Sequence, residues 1–255
     1  MPGREEGTKK IQKMRNAKDI LENLDEECKN LLLEVENHIS IDFAIRDDSK
    51  KECDFQVLER DENKLPIKGR IRYYEPIESC KIAHELLHAK CSYLLGYDKI
   101  IYDIVQTLSS VTVKQVLTDK MCGSILNQTE HFIFYPVYHN MGYCDEKFVE
   151  SINFDQEGWN RFCKEYNRSK ISTIDLSNLI LTLHHIVLFP IDNRFRAVNR
   201  QLKHIERDLY EAFINFKKGL PSLNNLEQNQ VCPIENSYRE LLVAIDNWCK
   251  KHEAR

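Results

Sequence analysis

Two histidines four residues apart, with a glutamate after the first, form the stretch of this chain best suited to chemistry: His84-Glu85-Leu86-Leu87-His88. On an α-helix, positions four apart stand one above the other, so His84 and His88 point two imidazoles at one place. Such a pair suits a tetrahedral Zn²⁺ ion. Glu85 lies one position round the helix from His84. From there its carboxylate reaches a water activated by the metal without itself being a ligand. The chemistry expected of such a set is general-base hydrolysis.

The elements around the motif must hold it still. Ile71, Tyr73 and Tyr74 end a strand-like run, and Glu75-Pro76 reads as a helix start with proline at the first helical position. Ile82, Ala83, Leu86, Leu87, Ala89, Tyr93 and Leu94 make the following helix largely apolar as far as about Leu95, so it is expected to be buried. Two histidines on a buried helix are costly unless something binds them. Upstream, Ala17 to His38 carries apolar residues at helical spacing, and Ile39 to Ile45 alternates as a half-buried strand does. Asp47 to Lys51 is a polar turn, Phe55, Val57 and Leu58 mark a second strand, and Ile67 to Tyr74 a third. Residues 1–16 read as a flexible lead-in.

Downstream, Asp98 to Leu117 predicts one long helix with an apolar face, broken at Thr118-Asp119-Lys120 and Gly123. Ser124 to Pro136 predicts another, bent or ended by Pro136, with Gly142 as a cap beyond it. Past Cys144 the pattern is all helical, with helices near 145–152, 155–166, 175–189, 193–218 and 234–252. Asp175 is the N-cap of the third, and Pro221 to Pro233 is a linker. The fold class expected is α+β: a layer of about three strands with helices over residues 17–144, followed by a helical segment over 145–255.

Two histidines do not complete a catalytic zinc site; a third protein ligand is needed. A metzincin continuation would place glycine at position 91 and histidine at position 94, where this chain has Cys91 and Leu94. Leu94-Leu95-Gly96-Tyr97-Asp98 shares a Gly-Tyr-Asp run with zinc endoribonucleases, but their last histidine would also fall on Leu94. The third ligand therefore has to come from a separate helix. Asn127, Glu130, His131 and Phe134 share one helical face, and a polar group on an otherwise apolar helix needs partners. Glu130 is the first choice, with His131 or Asn127 supporting it, and His131 is the second choice as a third imidazole. An oxyanion donor is also required. His139 is the pick, with Tyr135, Tyr138, Tyr143 and His184 as further groups able to touch oxyanion or substrate. His184 and His185 lie in the most apolar helix, where a histidine is more often a hydrogen-bonded core residue. Arg194, Arg196, Arg200 and Lys203 follow as a solvated face or a substrate-carboxylate site.

With these residues in view, the chain resembles the gluzincin branch of zincin-like zinc metallopeptidases, and more distantly the ImmA/IrrE group of intracellular peptidases. The resemblance covers residues 39–143. It implies zinc, peptide-bond hydrolysis with Glu85 as general base, a zincin-like layer, and a peptide or regulatory protein as substrate.

The net charge of −4 gives no electrostatic case for nucleic acid, and no run of apolar residues is long enough for a membrane span. No secretory signal is visible at the amino terminus. Nine scattered cysteines without a C-x-x-C pair fit free thiols in a reducing cytoplasm. Two alternatives stand beside a metallopeptidase. One is a regulatory binding module that keeps a zincin frame, and the other is a zinc hydrolase of a non-peptide substrate.

Overall fold

The alternation of apolar and polar residues that predicts strands before the motif is realised in a small twisted sheet. The computed structural model describes residues 14–15, 20–46, 53–63, 65–95, 100–144, 148, 156–165, 172–188, 196–226 and 231–253. Their architecture is α+β. The chain gathers into two compact units, Met1–Tyr93 and Leu94–Arg255.

In the first unit, strands β1 (Met14–Arg15), β2 (Ser40–Ile45), β3 (Asp54–Arg60) and β4 (Pro66–Tyr73) form a sheet of order β1-β2-β4-β3. Three of these strands are the expected ones. The two-residue β1 lies within the stretch read as a lead-in, and pairs antiparallel with Phe43 and Ala44 of β2. β2 and β4 run parallel, with Phe43 opposite Ile71 and Ile45 opposite Tyr73, while β3 returns antiparallel along the other edge of β4. Gly69 lies under the Phe55 ring, where an added Cβ would come within 2.3 Å of Cε2. Ile41, Phe43, Ile71 and Tyr73 are buried on one face of the sheet. Lys68, Arg70 and Arg72 alternate with them along β4, paired with Asp42 and Asp54.

Of the helix expected from Ala17 to His38, residues 17–19 lie outside the described residues, Ile20 and Leu21 are helical, and after a turn at 22–24 helix α1 (Glu26–Glu36) begins. Asp25 caps it by accepting from the Cys28 amide at 2.9 Å. The Asp25 amide in turn donates to Ser79 Oγ at 2.9 Å, which ties the start of α1 to the start of the motif helix. That helix, α2 (Ser79–Leu95), starts three residues beyond Pro76, which follows a cis peptide bond. The Glu78 carbonyl takes the first helical hydrogen bonds, from the Lys81 and Ile82 amides. Ile82, Ala83, Leu86, Leu87 and Ala89 are fully or almost fully buried, as the apolar pattern requires.

The second unit is helical. The single helix expected from Asp98 to Leu117 is two, α3 (Ile100–Thr107) and α4 (Val111–Val116). The break has a tertiary cause. Asp246 accepts from the backbone amides of Ser109 at 3.2 Å and Ser110 at 2.7 Å and from the Ser109 hydroxyl, so these amides leave the helical ladder. Ser110 then caps α4 through the Val113 amide. Burial alone would raise the Asp246 carboxyl; the Lys250 ammonium at 2.7 Å and the serine donors outweigh it and hold it below its ordinary range. Asp246→Ala leaves those buried donors unmatched. We expect a loss of about 3 kcal/mol, read as a lower urea midpoint at pH 7.

Helix α5 (Asp119–Asn140) starts at a Thr118 cap, before Gly123, and runs through Pro136 to Met141 and the positive-φ Gly142. Pro136 is exposed, so its ring faces away from the packed side and the helix continues past it. Then come α6 (Gln156–Glu165), α7 (Thr173–Leu188), α8 (Arg196–Ile205), α9 (Arg207–Gly219) and α10 (Val231–Glu253). Except for residue 148, the helix expected at 145–152 lies outside the described residues, as do Arg194 and the turn at 47–51. The helix expected over 193–218 is divided at Glu206, whose buried carboxylate accepts from Trp248 Nε1 at 2.8 Å. Ser172, not Asp175, stands at the start of α7, its carbonyl accepting from the Leu176 amide. Pro233 falls in the first turn of α10, where its missing N–H costs no hydrogen bond.

Candidate metal centre

The buried face of α2 fixes where its polar residues go. With Ile82, Ala83, Leu86 and Leu87 committed to the core, His84 and His88 are left one turn apart, His84 half-buried and His88 buried. Their Nε2 atoms face each other at 3.2 Å. Two nitrogens bound at ordinary Zn–N distances in a tetrahedral site stand about 3.4 Å apart, so this spacing matches one edge of such a site. The helix sets the bite.

Ligand atoms of His84, His88 and His131 all lie within 4.8 Å of one another, so the three histidines are positioned to hold a metal ion. Glu130, the first choice from sequence, is half-buried and is not a member of that group; its neighbour His131 is buried and belongs to it. His131 packs edge-on against the rings of Phe134 and Phe148, at centroid distances of 5.4 and 5.3 Å.

The electrostatics favour neutral imidazoles. Burial lowers His88 to about 3. Burial, with His88 adding to it, puts His84 well below its ordinary value. Neutral rings have the lone pairs that a metal needs, so the fold prepays the deprotonation that ligation requires. Glu85 is buried, at 8 % exposure, on the same turn. The nearby Cys53 thiol is pushed up to about 12, by burial first and then by the Glu85 carboxylate, while Lys81 pulls it down. Cys53 thus stays a thiol beside Glu85, a neighbour no sequence motif announced, since it precedes an ordinary strand.

The remaining candidates take varied places. Asn127 is exposed, on the solvent side of α5. Tyr138 is a core residue, 1 % exposed and packed on Phe148 and Tyr143. Tyr135 is half-buried between Phe148 and His139, and His139 itself is exposed near the end of α5. The cysteines whose side chains are described are free thiols.

His184 is fully buried among Phe213 and Phe216. Its Nδ1 lies 2.8 Å from Gln128 Oε1 and its Nε2 lies 3.1 Å from Thr129 Oγ1. The Thr129 hydroxyl donates to the Ile125 carbonyl at 2.9 Å, so its oxygen accepts from the ring's Nε2–H, and Nδ1 accepts from the Gln128 amide when that group turns its NH2 toward the ring. Both ring nitrogens are then satisfied within the core, as the commoner role of a histidine in an apolar helix demands. His185, one residue on, is buried as well.

Comparison with known proteins gives no match: no family model fits the chain, and no curated protein and no solved structure is found to be similar to it. The case for the site is carried by its own residues. Among the described residues, no helix is long and apolar enough to cross a membrane.

Proposed function

We propose that the chain is a zinc-dependent hydrolase of zincin-like type, acting in the cytoplasm as a metallopeptidase on a peptide or regulatory protein. The observation that carries this reading is the pair of Nε2 atoms 3.2 Å apart beside the buried Glu85, with His131 near enough to be the third ligand.

His84, His88 and His131 would hold the ion through one nitrogen each. Zinc bound there supplies a Lewis acid that lowers the pKa of its water, and three uncharged ligands leave its full charge for that task. Glu85 takes a proton from the attacking water and passes it to the leaving amine, since a single carboxylate can act as base and then as acid. A third imidazole where gluzincins use a carboxylate sets this chain apart from the branch it resembles. With Tyr138 in the core and His184 saturated by its own partners, Tyr135, Tyr143 and His139 remain to contact substrate or oxyanion.

Metal content tests the reading first. Protein purified without added metal is expected to carry about one zinc per chain, and His84→Ala/His88→Ala to carry almost none. Equal zinc in the double variant and the natural protein would sink the proposal.

A further inference from the structure

Helices α9 and α10 form an antiparallel pair. Gly219 lies against Ser237, the Phe216 ring touches that of Tyr238 at 5.0 Å, and Glu206 reaches Trp248. The two helices approach closely at the Gly219 end, where an added Cβ would stand 2.3 Å from Ser237 Oγ. Along the outer side of the pair runs a groove of about 330 Å³.

Its construction is specific. Ala212 and Phe216 of α9 recur at i and i+4, and Leu241 and Ala244 of α10 at i and i+3, so the apolar floor follows one face of each helix. The two alanines stop short and leave the trough. Asp208 and Glu211 stand on the α9 wall and Glu240 on the α10 wall, all three exposed. No side-chain hydrogen bond or ion pair joins the carboxylates of the three to another described residue. Carboxylates that pair neither with a described cation nor with each other line both sides of an apolar trough, Asp208 standing in the first turn of α9.

We propose that this groove docks an amphipathic helix of a partner protein, with an apolar seam flanked on both sides by lysine or arginine. A helix laid between two antiparallel helices packs its ridge into their groove. The small floor residues let it approach closely, and acidic walls on both sides call for cations on both flanks. A binding surface on the second unit would let it recruit a protein whether or not the metal centre is loaded.

The test uses the full chain and a fluorescein-labelled 16-residue helical peptide carrying leucines along one seam and lysines on both flanks. Titration followed by anisotropy is expected to saturate. Asp208→Asn/Glu211→Gln/Glu240→Gln should weaken the peptide about tenfold. Ala212→Leu, which fills the trough without changing charge, should weaken it as well. Circular dichroism checks that each variant keeps its helix content. Neutralising Glu22, Glu26 and Glu27 instead should leave affinity within twofold. The proposal is overturned if the peptide does not bind, if this control weakens it equally, if Ala212→Leu binds normally, or if spermidine competes at equal concentration. The last outcome would mark a site for small cations.

Discussion

Glu85→Gln is expected to keep about one zinc per chain and to lose hydrolysis by about 10²- to 10⁴-fold. Glutamine matches the shape of glutamate, so the packing around this 8 %-exposed side chain is preserved. What it lacks is a basic oxygen. Glu85 stands about 100° round the helix from His84, off the line on which the two imidazoles converge, so zinc should be indifferent to the change. Zinc is measured by elemental analysis, and hydrolysis with a library of quenched fluorescent peptides. Loss of zinc in the variant would place Glu85 among the ligands. Full activity would remove it from the proton path.

Acid is expected to destabilise the fold by a route that runs through His184. Burial, helped by the neighbouring His185, lowers His184 to about 3, whereas in an unfolded chain it titrates near 6.5. Between these values the unfolded state binds a proton that the folded state refuses, so falling pH favours unfolding. The stability contributed by the neutral ring is complete above about pH 6.5 and is lost at up to about 1.4 kcal/mol per pH unit down to about pH 3. His84 and His88 shift in the same direction, so the comparison must isolate His184. Urea midpoints for the natural protein and His184→Gln, both with chelator present, should diverge in slope between pH 7 and 4.5. The variant should be weaker at pH 7 but flatter toward acid. Parallel profiles would assign the acid sensitivity elsewhere.

Much of this is legible in the amino-acid sequence alone. The strands were marked by alternation around Phe43 and Ile71, and the motif helix by its apolar run to Leu95. What escaped depended on partners distant in sequence or on a choice between adjacent residues. Nothing local to Ser109 and Ser110 shows that Asp246, on the last helix, will draw their amides out of line. Pro136 bears the usual signature of a helix end, yet α5 runs on through it. Glu130 and His131 differ by one position, about 100° of rotation, and both are chemically reasonable ligands. His131 is the buried one of the two, packed on Phe134 and Phe148. Only the first of those rings lies within reach of a helical-spacing argument.

The sheet order has a consequence for how the chain reaches its folded state. β3 and β4 close on each other across a short turn, with the Leu65 amide reaching the Asp61 carboxylate at 2.8 Å. β2 must instead find β4 in parallel, with the whole of β3 intervening in sequence. Loop-closure entropy makes the hairpin the cheaper first step and the parallel pairing the slower second one. The Ser79 contact to Asp25 spans a longer interval still. On the same argument the tie between the first turn of the motif helix and Asp25 is expected to form after the hairpin. Pulse-labelled amide exchange should find the β3–β4 hairpin protected before β2.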